Sequence, residues 1–491
     1  MEKLDFELKT IAVALLASVS SLCNVSAQET ENVEWPNFPV FNIKTVNSEM
    51  PTATKVYPPE GAVGESIISE YVSGHLVITL KGDTLYDSGD YVKEKSGMRI
   101  KIRGNSTGAN LEQHPYKIKL TKKADLLLQN DEYKNKNWAL LSMNTWNTAM
   151  KNAQSNILTR TGLAVCAALD FPWEPRTRFV NLVLNGEYQG MYNLIETVER
   201  DESRVNIGKK GFIIENDAYW WKEGEVYFKT DRQHSYMGYT FKYPDADDVD
   251  DSYKASVQAY MNMVEAAAFS SETAAAYIDY DSFARWMLAH DILGDTDSAG
   301  SNIFLCKDDF KANNPTSSKL KMSTLWDFDA SFKAGEGQWS TQHYTDVLHF
   351  SQLFKDEAFV DKYVELYNEY KDKVYPYMEN YFNELKAQDG EAFEQSRELH
   401  RKVYKNDCPN SLDEQIDDVL THLKERMQTL ETLVNDLVTG VETATTDSNA
   451  RLVSRVNVLG IDCTHADMGS LPKGVYIEKY SNGEIKKVFN K

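Results

Sequence analysis

Asn185-Gly186, set between the apolar runs 179–184 and 190–195, constrains this chain more than any other short segment. An Asn-Gly connection favours the turn in which both central residues take positive φ, and that turn suits the twist of two antiparallel strands. The segment therefore predicts a hairpin near the middle of the chain. A second strand pair follows from alternation: Ile100 and Ile102, then Tyr116, Ile118 and Leu120, share one face, while Lys117 and Lys119 share the other. The polar loop 103–108 joins them. Residues 28–97 are rich in Val, Ile, Thr and Tyr broken by Pro and Gly, which predicts further short strands, and another is expected over 211–215.

Helical periodicity appears in three places. A helix is expected over 148–161, with Gly162 as its stop. Residues 282–293 form a second, with Phe283, Trp286, Met287 and Leu293 inward, ahead of two strands at 302–307 and 320–325. The stretch 351–438 is almost wholly helical, with Leu420, Leu423, Met427 and Leu430 at three- and four-residue spacing. A Thr/Asp/Ser/Asn linker at 443–449 leads into a small strand-rich tail. The 491 residues accommodate roughly two to four folded units.

Charge narrows the partners. Lys+Arg 53 against Asp+Glu 74 gives −21, which argues against nucleic acid and against an anionic membrane surface, though not against a local basic pocket. The apolar run 11–22 is too short to span a bilayer, and Val25-Ser26-Ala27 offers a cleavage site before Gln28. An exported protein is expected, periplasmic, on the outer surface or secreted, with no transmembrane segment once the signal is removed; Cys23 leaves a lipoprotein as the alternative. The other cysteines, Cys166, Cys306, Cys408 and Cys463, are too sparse for a disulfide framework and read as buried free thiols. Gly-x-Ser-x-Gly and HExxH are both missing.

Phosphoryl transfer needs cations and amides around phosphates, oxygen ligands for a divalent metal, and a group that orients the attacking hydroxyl. The glycine loop Arg103-Gly104-Asn105-Ser106 supplies amides, or is simply a turn. Lys117 and Lys119 either reach phosphate oxygens or are solvated. Asp297 and Asn302 have the Asp-x-x-x-x-Asn spacing of a kinase catalytic loop without its His and Arg. A strand running into Trp326-Asp327-Phe328-Asp329 delivers two carboxylates to a partly buried turn, where a cation or an arginine should lie nearby. Glu196, at the end of the second hairpin strand, stands where a kinase-like order would face adenine; nearby carboxylates have pairing with Arg200 or Arg204 as the alternative. Trp220-Trp221 is a candidate sugar-stacking surface.

Six segments resemble the CotH kinase family, in that family's order: Arg103-Gly104-Asn105-Ser106-Thr107, Pro115-Tyr116-Lys117-Ile118-Lys119-Leu120, Trp138-Ala139-Leu140-Leu141, Val183 through Tyr192, Ile278 through Phe283, and Trp326-Asp327-Phe328-Asp329. The resemblance implies an α+β, divergent two-lobed protein-kinase-like fold over 98–440. Before it would lie a β-rich region at 28–97 and a signal at 1–27; a helical subdomain from about 351 and a small β tail over 441–491 would complete it. It also implies ATP with Mg2+ or Mn2+ and transfer to a protein hydroxyl. Carried onto this chain, the family's acidic turn makes Asp327 the first expected metal ligand and Asp329 the second, and the Asp-x-x-x-x-Asn spacing adds Asn302 as a ligand. Arg103, Asn105, Ser106, Lys117, Lys119 and Glu196 fall to the nucleotide, and Asp297 and Lys119 to catalysis.

Several positions depart from the family pattern. Trp146 and Lys151 precede Asn152, Asp291 and Asp295 stand where Glu and Asn are usual, and Lys333 replaces a glycine. These leave an inactive kinase-like surface protein, gripping a glycan or a protein partner, as the competing reading. The tail, through Lys473-Gly474-Val475-Tyr476-Ile477 and Lys486-Lys487-Val488, is similar to type IX secretion sorting domains.

Overall fold

The computed structural model describes residues 35–143, 156–222, 226–233, 236–270, 274–297, 301–335, 337–342, 350–439, 452–457, 461–466, 468–480 and 485–490. The expected signal, the start of the helix expected at 148 and the positions of Trp146, Lys151, Asn152 and Cys23 lie outside the described residues.

Strands dominate the first part of the chain. They are β1 (Val40–Thr45), β2 (Thr54–Val56), β3 (Ser66–Ile68), β4 (Val72–Leu80), β5 (Asp83–Asp87) and β6 (Met98–Ile102). The short helix α1 (Ser106–Asn110) leads to β7 (Tyr116–Ala124) and β8 (Asn135–Ser142), and α2 (Leu158–Ala168) to β9 (Thr177–Leu184) and β10 (Glu187–Glu196). The hairpin turn is the expected one, with Asn185 at φ 54° and Gly186 at φ 86°. Strands pair in the order β1-β9-β10-β8-β7-β6-β4, and β4 pairs back onto β1, which closes a seven-stranded barrel. Every barrel strand sends alternate residues into one buried cluster, among them Ile43, Ile78, Ile100, Ile118, Leu140, Leu182 and Leu194.

Mixed structure follows: β11 (Phe212–Asp217), β12 (Tyr227–Phe228), β13 (Gly238–Tyr243), α3 (Asp251–Ala268), α4 (Ala274–Tyr277), α5 (Tyr280–Leu293), β14 (Ile303–Lys307) and β15 (Leu320–Met322). The strands form an antiparallel sheet ordered β12-β13-β11-β14-β15. Helix α5 has clear ends: the Asp279 carboxylate accepts from the Ser282 amide, and Gly294 closes the last turn at φ 57°. Then come α6 (Phe350–Leu353), α7 (Glu357–Tyr370), α8 (Val374–Val403) and α9 (Leu412–Thr439). The outward residues Ala139, Phe179, Met191 and Ile195 of the barrel join these helices in a second, larger core. The tail strands β16 (Leu452–Asn457), β17 (Gly474–Tyr480) and β18 (Ile485–Asn490) make a sheet of their own.

The α+β class holds, but the two-lobed protein-kinase-like architecture does not. A closed seven-stranded barrel stands with nine helices among the described residues. Within the N-terminal β-rich region, β1 and β4 supply two staves of the barrel. Gly162 is not a helix stop: it lies inside α2, where the ring of Phe328 occupies the space a side chain would need. The strand expected over 320–325 ends at Met322. The four described cysteines are free, three of them buried. Among the described residues no helix is long and apolar enough to cross a membrane.

Candidate active site

A cavity of about 310 Å³ opens where the barrel meets the second sheet. Seven of the residues expected to carry chemistry line it: Arg103, Asn105, Ser106, Asp297, Asn302, Asp327 and Asp329. Each arrives at the end of a regular element. Strand β6 stops at Ile102, and Gly104 at φ 93° turns the chain into α1, which sets Arg103, Asn105 and Ser106 on one wall. Helix α5 stops at Gly294 and releases Asp297 on another, with Asp295 buried two residues before it. The chain entering β14 brings Asn302, and the irregular chain after β15 brings Asp327 and Asp329.

The acidic wall is strained as well as charged. Asn302 and Asp327 adopt left-handed backbone, at φ 65° and φ 68°, and the Asn302 Nδ2 donates to Asp327 Oδ2 at 3.1 Å. The Asn302 amide donates to Glu215 Oε1 at 3.1 Å, and Lys242 pairs with the other oxygen of Glu215 at 3.0 Å. Burial, then the charges of Asp329, Asp297 and Asp295, hold the Asp327 carboxyl well above its ordinary range, against the opposing charge of Arg103. Asp329 is raised for the same first reason, burial, against the pull of Lys333. Asp297 presents surface at the mouth, yet the protein around its carboxyl and the charge of Asp329 push it up to about 6.

Asp295 belongs to this group and was not singled out as a site residue from sequence. It is buried, accepts from the Asp297 amide at 2.9 Å and from the Ser331 hydroxyl at 3.2 Å, and is pushed up to about 7, chiefly by burial. The available signal was a repeat: Asp295-Thr296-Asp297 has the same spacing as Asp327-Phe328-Asp329. Asn156 and Asn193, also on the cavity, went unnoticed because neither sits in a motif.

The cationic wall is looser. Arg103 lies over the Trp326 ring at 5.8 Å, and its charge faces Asp327 and Glu215. The Asn105 amide oxygen accepts from Ser66 Oγ at 2.8 Å and from Lys222 Nζ at 3.0 Å. Lys117 pairs in register with Lys101, and burial, with Lys101, Arg103 and Lys242 adding to it against Glu199, brings its ammonium down to about 8. Lys119 is one register pair further along, opposite Arg99. Neither lysine lines the cavity.

Glu196 does not line it either. It is fully buried and accepts from Arg176 Nη2 at 2.6 Å and from the Arg176 amide at 3.0 Å, with Arg204 Nε at 3.5 Å. The Trp220 indole donates to the Tyr236 carbonyl and packs on Tyr227 and Lys229, while that of Trp221 donates to the Val63 carbonyl. Both indole N–H groups are thus engaged within the chain.

The residues present suit a hard cation and a nucleotide. Asn156 Oδ1 and Asn193 Oδ1 are buried without a donor, beside carboxylates that repel one another. No three His, Cys, Asp or Glu groups among the described residues form a ready-made metal cage. Mg2+ requires none, since it takes one or two carboxylates and completes its shell with water and phosphate oxygens.

Comparison with protein families decides the identity: the model described as CotH kinase protein matches residues 100–430. The chain belongs to the CotH kinase family. The match takes in both walls of the cavity, from Arg103 to Asp329. Comparison with the curated proteins returns no match. Membership in the CotH family supports a kinase-like function, suggests a phosphotransferase, and implies ATP with a divalent cation in general.

Proposed function

We propose that this CotH kinase is an exported phosphotransferase that moves the γ-phosphoryl group of ATP to Ser or Thr hydroxyls of exported or surface proteins. One observation carries the reading: a single cavity gathers Arg103 and the glycine loop on one side and Asp297, Asn302, Asp327 and Asp329 on the other. Asp327 and Asp329 would hold the cation, with the Asn302 side chain fixing the Asp327 carboxylate. Arg103 would meet phosphate oxygens, helped by the amides of the Gly104 turn. Asp297, with a pKa of about 6, is a carboxylate at neutral pH and is the group to receive the acceptor hydroxyl's proton. Tyr219 and Trp326 offer aromatic faces for the base, and Asn156 and Asn193 offer carbonyl oxygens for its amino group or the ribose hydroxyls. The bound cation would supply neutralisation of the charge on the β- and γ-phosphates.

Export rests on the sequence around residues 11–27 and on the tail's similarity to sorting domains. N-terminal sequencing of the mature protein checks the first, with Gln28 expected. The site itself is checked by thermal denaturation with and without ATP and Mg2+, in the unaltered protein and in Asp327→Asn. Asparagine tolerates the left-handed backbone at this position, whereas alanine would add strain unrelated to charge. A saturable rise in Tm is expected in the unaltered protein alone. No rise at millimolar nucleotide would remove the enzyme reading and leave the surface-binding one. Radiolabel transfer to candidate exported proteins then separates a kinase from a protein that only binds nucleotide.

A further inference from the structure

Lys117 and Lys119, which do not line the cavity, belong to another arrangement on the outside of the barrel. Met98, Ile100 and Ile102 of β6 and Ile118 and Leu120 of β7 point into the barrel core, so the alternate residues Arg99, Lys101, Lys117 and Lys119 point out of it. In register, Arg99 faces Lys119 and Lys101 faces Lys117. Four cations thus form a square, about 5 Å across the strands and about 7 Å along them. Arg103, two residues beyond Lys101, carries the row to the rim of the cavity.

Like charges set directly opposite one another destabilise a strand pair. Here they do so twice in succession, in a chain whose net charge is −21. Arg99 and Lys101 both lie over the ring of Tyr71, each at 5.0 Å. Among the described residues none of the four makes a hydrogen bond or an ion pair, and none of their nitrogen atoms is shut off from solvent. Glu199 is the carboxylate whose charge reaches Lys117, and it is shared: it lies 3.8 Å from Arg204 Nη1 and accepts from the Thr197 hydroxyl at 3.0 Å. The square therefore keeps a surplus of positive charge.

We propose that this face docks an acidic segment of the acceptor protein, extended along β6 and β7, so that carboxylates on alternate residues meet the cations while a nearby hydroxyl arrives at the cavity. The inference rests on the kinase reading for the fate of the hydroxyl, and not for the docking itself. An extended chain repeats side chains on one face about every 7 Å, which is the spacing of Arg99, Lys101 and Arg103. The acidic residues of the substrate would thus stand within about four positions of the hydroxyl. The negative charge of the rest of the molecule repels such a segment, so the square also decides where it lands.

A fluorescent peptide with Glu at alternate positions on one side of a single Ser is titrated by anisotropy without nucleotide, beside the same peptide with Gln for Glu. Saturable binding of the Glu peptide is expected, weakened about tenfold for the Gln peptide and in the double variant Arg99→Gln, Lys101→Gln. The Tm of that variant should be unchanged or higher, because a repulsion is removed. The double variant Arg99→Glu, Lys101→Glu should reject the Glu peptide and bind a Lys counterpart. In the transfer assay, the Gln variant should raise KM for the Glu peptide about tenfold and move KM for ATP by less than about two-fold. An equal rise in both would assign the cations to nucleotide and overturn the proposal. Peptide binding with no nucleotide-dependent rise in Tm would remove the kinase reading and keep the docking face. A nucleotide-dependent rise with no difference between the Glu and Gln peptides would overturn the docking face alone. Phosphatidylglycerol vesicles bound through Arg99 and Lys101 in place of the peptide would assign the face to a membrane and overturn it too.

Discussion

The two walls of the cavity between Arg103 and Asp327 are built by opposite rules. The cationic wall grows out of a barrel whose strands alternate regularly: β6 ends at Ile102 and hands Arg103 to the cavity, while Lys117 and Lys119 hold positions off the cavity that the register dictates. The acidic wall consists of chain ends after α5 and β15, with left-handed residues at Asn302, Asp327 and Phe332 and four carboxyls raised by burial. The barrel buries apolar surface and tolerates its cations, while the acidic wall holds strained backbone and mutual repulsion that a bound cation would relieve.

That contrast can be broken most directly at Asp327. Asp327→Asn is expected to lower phosphoryl transfer by roughly 10²–10³-fold, the scale of losing a principal electrostatic contact in a transition state. It should leave the ligand-free Tm unchanged or higher, because it removes a charge the fold resists. A fall in Tm would show that the acidic wall is structural. Ile118→Ala, inside the barrel, should do the reverse: about 2–5 kcal/mol of stability lost in a denaturant titration, with kcat of the remaining folded protein little changed.

Gly162→Ala tests the junction between the two regions. The added methyl meets the Phe328 ring, which sits between Asp327 and Asp329. Overpacking there should remove about 1–3 kcal/mol of stability and raise KM for ATP as the acidic turn shifts. An unaltered KM would mean that Phe328 moves independently of its neighbours.

The smallest effect concerns pH. Lys117 has a folded-state value of about 8 against an ordinary 10.5, lowered first by burial. Its ammonium is therefore lost as pH rises through 8; since Lys117 does not line the cavity, its charge acts on a bound phosphate only at a distance, and ATP affinity should fall by no more than about two-fold between pH 7 and 9. Lys117→Met should flatten that dependence. Between the two values the unfolded chain binds the proton more readily than the folded one, so the ligand-free protein should gain stability as pH rises from 8 towards 10.5. A fall of tenfold or more that Lys117→Met abolishes would mean that Lys117 moves into the cavity when nucleotide binds.

Local structure was legible in sequence where a few neighbouring residues determine it. Asn185-Gly186 gave its turn, and helix α5 was visible in the spacing of its apolar residues. Closure of the barrel was not legible, since it depends on β1 lying parallel to β9 far along the chain. Gly162 misled for a related reason: its missing side chain serves a contact with Phe328, which no local rule reveals. Glu196 followed from an assumed lobe order, and the ion pairs to Arg176 and Arg204 take it off the cavity. The acidic turn was legible because aromatic residues between aspartates mark a carboxylate with nowhere to be solvated.

The closing strand also sets an order on synthesis. Thr45, at the end of β1, is bonded to Asn185, 140 positions later. β4 can pair with β1 early, but the opposite edge of β1 remains bare until β9 has left the ribosome. The nascent chain therefore passes through a stage in which Arg103 and its glycine loop already exist while the barrel is an open sheet and none of the aspartates of the acidic wall has been made. The cavity has no second wall until that later stretch has been translated, so any ligand held between the two walls can bind only late in synthesis.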